Sequence, residues 1–347
     1  MSLPQATLAV FLGPNRDFEF RTVPCPAPGP GELLVAVSLA TICGSDLHTV
    51  EGRRTEPAPS VLGHEAVGRV VAVGPDRDPL LLNRRVTWTL ADSCGSCRPC
   101  RDWLLPQKCE RLFKYGHAAL SSGSGLNGCY ASHVVLRAGT VVVPVPDSVS
   151  DRLAAPANCA LATMVAATEP LAQGGETALI QGAGLLGIYG AVLLRELGWK
   201  RVLVTDPTPG RRVLAGRFGA EVFAPDELAL SPSAVADAVI EVAGTAAVIP
   251  QGLRLLRPGG HYAFVGMVHP DTRLDLTGET VVRKCLTLRG THNYAPRHLQ
   301  AAVDFLAAHA AEHPWADLVA DPLPLARLGE AMQLARSGRW ARVGVAP

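Results

Sequence analysis

The chain has 347 residues, with 32 Lys and Arg against 31 Asp and Glu, for a formal charge of +1. A balance so close to neutral, with no basic stripe, excludes nucleic-acid binding by bulk charge. Hydrophobic residues at 48% and charged residues at 18% exclude a disordered chain, and the length predicts two domains at roughly 150 residues each.

Nine cysteines, at positions 25, 43, 94, 97, 100, 109, 129, 159 and 285, are odd in number and unevenly spread, unlike a secreted disulfide framework. The segment MSLPQATLAVFLGPNRDFEF lacks a basic stretch followed by an apolar one, and no apolar run reaches about 18 residues, so we read a cytoplasmic protein with no membrane partner.

Taken from the N-terminus, Leu33 to Leu39, Ala66 to Val73, Arg85 to Leu90, His133 to Leu136 and Thr140 to Val145 are alternating or β-branched runs between Gly and Pro clusters. They predict strands, and a mostly β region that ends near residue 150. Within it, Cys94-x2-Cys97-x2-Cys100 is followed by Cys109, four thiols in 16 residues. A loop this short can wrap one tetrahedral Zn(II) with no open position, which is a structural site; unrelated core thiols or a redox dithiol are the alternatives. Cys43 in ICGSDLH, His64 with Glu65 in GHE, and Cys159 in NCALAT lie too far apart for spacing to assemble them. Singly, they read as small buried thiols and a capped or core histidine.

From about residue 152 the texture changes to strand, Gly turn and helix. TALIQGAGLLG opens a helix that runs to Leu197, and RVLVTD, a helix over Arg211 to Phe218, EVFAP, DAVIEVAG, a helix toward Leu256 and HYAFVGMV follow. Such alternation predicts a parallel, doubly wound sheet. Gly182, Gly184 and Gly187 form a GxGxxG between a β-branched strand and a helix that starts at Leu185 and Leu186. There the glycines permit a tight turn, close approach of a pyrophosphate and helix packing, and the helix N-terminus offers N–H groups to the anion. Asp206 closes the next strand about 20 residues on, where a carboxylate accepts the ribose hydroxyls and favours NAD over NADP. Arg211 and Arg212 keep a 2′-phosphate possible. A helix over Ala301 to His309 and a short final strand lie beyond the sheet pattern, so the C-terminal segment is expected to return to the first domain. HYAFVGMV, left open as a final strand, would pair with its copy and give a homodimer or homotetramer.

ICGSDLH, LGHEAVGRVVAVG, CGSCRPC, GAGLLG and VTD stand in the order found in zinc-dependent, medium-chain alcohol dehydrogenases, and the chain resembles that family over its whole length. The resemblance implies an α/β protein: a GroES-like β domain at 1–158, completed by 293–347, and a Rossmann NAD-binding domain with a doubly wound parallel sheet at 159–292. It implies two zincs per chain. Cys43, His64 and Cys159 would ligate the catalytic zinc, with the fourth position open; Cys94, Cys97, Cys100 and Cys109 would ligate the structural one. Glu65 would sit near the catalytic metal, Asp46 would hold the neutral tautomer of His64, and Ser45 and His48 would carry the substrate proton away. Thr163, Val265 and Met267 match positions near the nicotinamide, and Arg342 one that reaches the pyrophosphate. Eight residues separate Cys100 from Cys109, one more than is common in the family, so Cys109 needs a bulged loop to ligate.

Leu90 matches a wall of the family's substrate pocket. With Lys114 and His117 in KYGHAALSSGSG, it points to a small polar or anionic alcohol or aldehyde. KYGH, NCALAT and HNYAP also resemble a subgroup of alcohol dehydrogenases associated with phosphonate catabolism, which implies a hydroxyalkylphosphonate substrate. A polyol or amino-alcohol dehydrogenase of the sorbitol or threonine type is the alternative enzyme, and an inactive NAD-binding zinc protein the alternative of another class.

Overall fold

The run LLVAVSLAT forms the strand Leu33–Thr41, most of whose side chains are buried, and a sheet grows on both of its edges. In the computed structural model the described residues are 3–230, 235–268 and 272–347. They fall into one unit of residues 1–159 with 295–347 and a second of residues 160–294.

In the first unit, Glu65–Val73 pairs antiparallel along the whole of Leu33–Thr41, while His133–Leu136 and Arg342–Ala346 pair antiparallel with successive parts of it. Arg85–Trp88 and Val142–Pro144 extend the sheet beyond Glu65–Val73, and Val319–Pro324 extends it beyond Arg342–Ala346. The last fifty residues join this unit because Gly344 lies opposite Thr41 and Val345 opposite Ala40. Leu33, Val35, Val70, Val86, Trp88, Tyr115, Tyr130, Val343 and Met332 share one core, where each large side chain removed from water contributes about 1.5–3 kcal/mol. Gly63 has φ 89°, and a Cβ there would lie 2.9 Å from the Tyr130 ring. Only glycine lets that ring pack beneath the turn that delivers His64.

In the second unit the strands are β1 (Thr177–Gln181), β2 (Arg201–Thr205), β3 (Glu221–Phe223), β4 (Ala236–Glu241), β5 (Leu256–Phe264) and β6 (Thr287–Gly290), all parallel in the order β3-β2-β1-β4-β5-β6. β1 is wholly buried, as a strand covered by helices on both faces must be. The order reverses direction between β1 and β4, which opens a crevice at their C-terminal ends.

Three elements differ from the sequence reading. The segment HYAFVGMV is an interior strand that stops at Phe264, and β6 covers its free edge; TLRG is too short and polar to announce itself as a strand. The helix expected over Ala301 to His309 begins at Pro296, because proline at the first helical position has a preset φ and no hydrogen bond to lose. The helix expected over Arg211 to Phe218 runs from Pro209 to Gly216, for the same reason. Among the described residues no helix is long and apolar enough to cross a membrane.

Candidate active site and metal centres

Cys43 caps the short helix Gly44–Val50, His64 follows the Gly63 turn, Glu65 begins its strand, and Cys159 follows the 3-10 turn Ala155–Asn158. Donor atoms of all four lie within 4.8 Å of one another. They are held by a buried polar frame. The backbone N–H of Cys43 donates to Oδ2 of Asp46 at 2.9 Å, and the Tyr130 hydroxyl donates to the same oxygen at 2.8 Å. Oδ1 of Asp46 lies 3.6 Å from Nδ1 of His64, which leaves Nε2 of that ring as the nitrogen facing a metal. Nδ2 of Asn158 donates to the carbonyls of His64 (3.1 Å) and Trp88 (2.9 Å), tying the Cys159 turn to the His64 turn.

Glu65 is fully buried and already occupied. Its Oε2 accepts from the Thr41 hydroxyl at 2.6 Å and from Nε of Arg342 at 2.8 Å, and Oε1 accepts from Nη2 of Arg342 at 2.9 Å. Nη2 also lies 3.6 Å from the Cys43 sulfur. A hydrogen bond from Cys159 pulls the Cys43 thiol well below the ordinary range against the effect of burial, with Arg342 and His64 assisting. Cys159 is pushed up by the same shared hydrogen bond and by burial. Burial opposes the imidazolium of His64, but Asp46 and Cys43 outweigh it and raise its pKa to about 10. Two sulfurs and an imidazole converging in this way are a donor set that fits zinc, while Glu65 is already engaged by Thr41 and Arg342. Arg342, which resemblance matches to a pyrophosphate contact, has its guanidinium buried and bonded to Glu65, Cys43 and the Ala341 carbonyl; a buried carboxylate needs such a cation.

Ser45 and His48 sit on the helix that Cys43 caps, both half-buried. The Ser45 carbonyl accepts from the Thr49 hydroxyl, and the His48 carbonyl from the N–H groups of Arg53 and Arg54.

The second cluster brings the sulfurs of Cys94, Cys97, Cys100 and Cys109 within 4.8 Å of one another. Backbone N–H groups of Cys94 and Arg111 point at the Cys109 sulfur, and that of Cys97 at the Cys94 sulfur, each at 3.3 Å. The Arg111 side chain and the backbone N–H groups of Ser96 and Cys97 lower the Cys94 thiol to about 4, whereas burial and the neighbouring Cys97 push the Cys100 thiol up to about 12. The extra residue before Cys109 is absorbed by a left-handed residue, Leu104 at φ 56°, and a 3-10 turn over Pro106–Lys108, which return Cys109 to the cluster.

Leu90 is buried and its carbonyl accepts from the N–H of Tyr115. Lys114 is on the short strand Phe113–Lys114, opposite Ala91. The ring of His117 lies 5.1 Å from that of His64, centre to centre. Its Nδ1 is 2.9 Å from Oε1 of Glu56, which also receives Nε of Arg54 at 2.7 Å. Arg54 and Glu56 escaped the sequence reading because no motif marks them.

In the second unit, Gly182 has φ 116°, and a Cβ on Gly187 would sit 1.9 Å from the Gly182 carbonyl, so both must be glycine. A Cβ on Gly184 would meet nothing within 4 Å, as expected where a pyrophosphate passes. The helix Leu185–Glu196 starts here, with Leu185 buried and Leu186 half-buried. Gly182, Gly184, Asp206, Arg211, Val242 and Thr245 are among the residues lining a cleft of about 560 Å³. Asp206 is held by the N–H groups of Ala183 (2.9 Å) and Thr208 (2.8 Å), and Nη1 of Arg211 is 3.9 Å from it. Arg212, which with Arg211 keeps a 2′-phosphate possible in the sequence, donates to the Asp206 carbonyl at 2.7 Å. Thr163 is half-buried on the helix Ala160–Thr168. The N–H of Val265 donates to the Glu241 carbonyl, and Met267 packs against the sheet core. The Glu241 carboxylate, unnoticed in the sequence, receives the N–H groups of Gly244 (2.6 Å) and Gly266 (3.1 Å) and so joins the turns after β4 and β5. An acid closing a strand before a glycine turn was the available signal.

Residues 29–147 match the alcohol dehydrogenase GroES-like domain, and residues 185–308 the zinc-binding dehydrogenase family. The chain is 31% identical to the L-threonine 3-dehydrogenase of Chelativorans sp. (strain BNC1) over 297 residues, 80% of this chain and 81% of that one. It is 32% identical to the L-threonine 3-dehydrogenase of Anaeromyxobacter dehalogenans over 285 residues, 78% of each. Among solved structures, an alcohol dehydrogenase from Thermotoga maritima superposes with a TM-score of 0.91 at 29% identity, covering 99% of this chain and 100% of that one.

Proposed function

The chain belongs to the zinc-dependent medium-chain alcohol dehydrogenase family, and from that premise we propose that it interconverts a small polar alcohol and its carbonyl, with NAD(H) as hydride partner. The observation that carries the reading is the convergence of Cys43, His64 and Cys159 from three separate segments, with Glu65 already engaged by Arg342. Cys43, His64 and Cys159 would hold a zinc whose Lewis acidity would make an alcohol more acidic, and Gly182, Gly184 and Gly187 would seat the NAD that would supply the hydride acceptor.

Residues of the chain do the rest. Asp46 orients His64, and Tyr130 orients Asp46. Ser45 Oγ takes the hydroxyl proton as it releases its own toward the His48 imidazole, which passes one on to water. Cys94, Cys97, Cys100 and Cys109 hold a second, structural zinc. Asp206 selects NAD over NADP because a 2′-phosphate would meet its carboxylate.

For the substrate, the names of the threonine dehydrogenase relatives support an amino-alcohol class above a polyol or a hydroxyalkylphosphonate. The test is NADH formation by purified protein with L-threonine, sorbitol and simple alcohols, before and after metal removal. Turnover that is lost on chelation and restored by zinc supports the reading; NAD binding without turnover on any alcohol favours the inactive NAD-binding alternative.

A further inference from the structure

We infer that Arg54, Glu56, Lys114 and His117 form an anion seat beside the Cys43, His64 and Cys159 cluster, built to hold a carboxylate or phosphonate carried by the substrate. The inference rests on the reading of that cluster as the reacting centre. Oε1 of Glu56 takes both Nε of Arg54 (2.7 Å) and Nδ1 of His117 (2.9 Å). This locks the His117 ring 5.1 Å from that of His64, one side chain away from a zinc ligand. Lys114 ends the strand Phe113–Lys114, its carbonyl accepts from the N–H of His117 at 3.3 Å, and its side chain lies within electrostatic range of Arg54, Glu56 and Cys159.

The charge count decides what the group can bind. Arg54 is neutralised by Glu56, whereas Lys114 is half-buried and has no carboxylate within 4.0 Å among the described residues. A partly desolvated ammonium without a counter-ion is unfavourable, and an anion bound beside it relieves that cost. Burial, and then the neighbouring Arg54, lower the proton affinity of Lys114 while Cys159 and Glu56 raise it; the ammonium is thus within electrostatic reach of the zinc-ligand cluster itself. With Arg54 paired, the group carries one net positive charge. Glu56 is a positioning residue: it holds Nδ1 of His117, so Nε2 is the nitrogen the ring can present to a ligand.

The test uses the full-length, zinc-loaded protein with NAD and four secondary alcohols that differ in charge: 2-butanol, 1-amino-2-propanol, 3-hydroxybutanoate and 2-hydroxypropylphosphonate. At least one of the two anions should give a higher kcat/KM than 2-butanol. Lys114→Gln should lower their kcat/KM about ten- to a hundredfold more than that of 2-butanol, chiefly through KM, as expected for losing a charge-assisted hydrogen bond; Lys114→Arg should recover most of the loss. A second readout needs no turnover: butanoate and propylphosphonate, but not butanamide, should raise the melting temperature of the wild type and fail to raise that of Lys114→Gln. Whichever anion protects more identifies the group carried by the substrate. Equal losses for charged and neutral alcohols, or protection by neither anion, would overturn the seat. Lys114-dependent protection without turnover on any of the four alcohols would keep the seat and remove the dehydrogenase reading.

Discussion

Cys94, Cys97, Cys100 and Cys109 come from one 16-residue segment, whereas Cys43, His64 and Cys159 come from three distant ones. The compact lobe settles its sulfurs with its own backbone amides, at 3.3 Å from Cys94, Cys97 and Arg111, and its cysteines are enough to close a tetrahedral site. The dispersed cluster depends on buried side chains: Asp46, Tyr130, Asn158 and Arg342 hold Cys43, His64, Glu65 and the Cys159 turn in place. A local motif is enough to assemble the first cluster, while the second needs a tertiary frame.

The widest separation between the two should come from ligand removal. Cys43→Ser is expected to cut turnover at least about a thousandfold, or about 4 kcal/mol, while the lobe keeps its zinc; Cys97→Ser is expected to lower the melting temperature while the folded fraction retains its turnover. Metal content, calorimetry and NADH assays on both variants check this.

Breaking the frame comes next. Arg342→Met strands the buried Glu65 charge and should destabilise the protein by about 3–5 kcal/mol in urea unfolding, with part of the loss recovered in the double variant with Glu65→Gln. Asp46→Asn should weaken only the dispersed zinc, by about ten- to a hundredfold in chelator competition. The smallest effect is that of Tyr130→Phe, about 1 kcal/mol of stability, because Asp46 keeps the Cys43 N–H; the same unfolding experiment measures it.

The same contrast governs how much of the molecule was legible in its sequence. The α/β class was readable because strand and helix periods change along the chain, and GAGLLG followed by Asp206 marked the dinucleotide cleft through local spacing. The Cys94 to Cys109 cluster was readable for the same reason. Partnerships across the chain were not: Tyr130 and Asp46 are 84 residues apart, Glu56 and His117 are 61, and Arg342 and Glu65 are 277. No periodicity links such residues; for Arg342 and Glu65, it is the pairing of Leu33–Thr41 with Glu65–Val73 and Arg342–Ala346 that brings them together. For that reason the bond between Arg342 and Glu65 was not foreseen, and Thr287–Gly290 was missed as the edge strand.

The central claim, that the dispersed cluster is the reacting centre and the compact lobe only holds structure, is tested most directly by stepwise zinc withdrawal. Zinc per chain, measured by native mass spectrometry, is followed together with the rate of NADH formation. The account predicts two zincs at the start, loss of turnover in proportion to the metal leaving Cys43, His64 and Cys159, and recovery when that one is restored. Full turnover after the dispersed cluster has been emptied would contradict it.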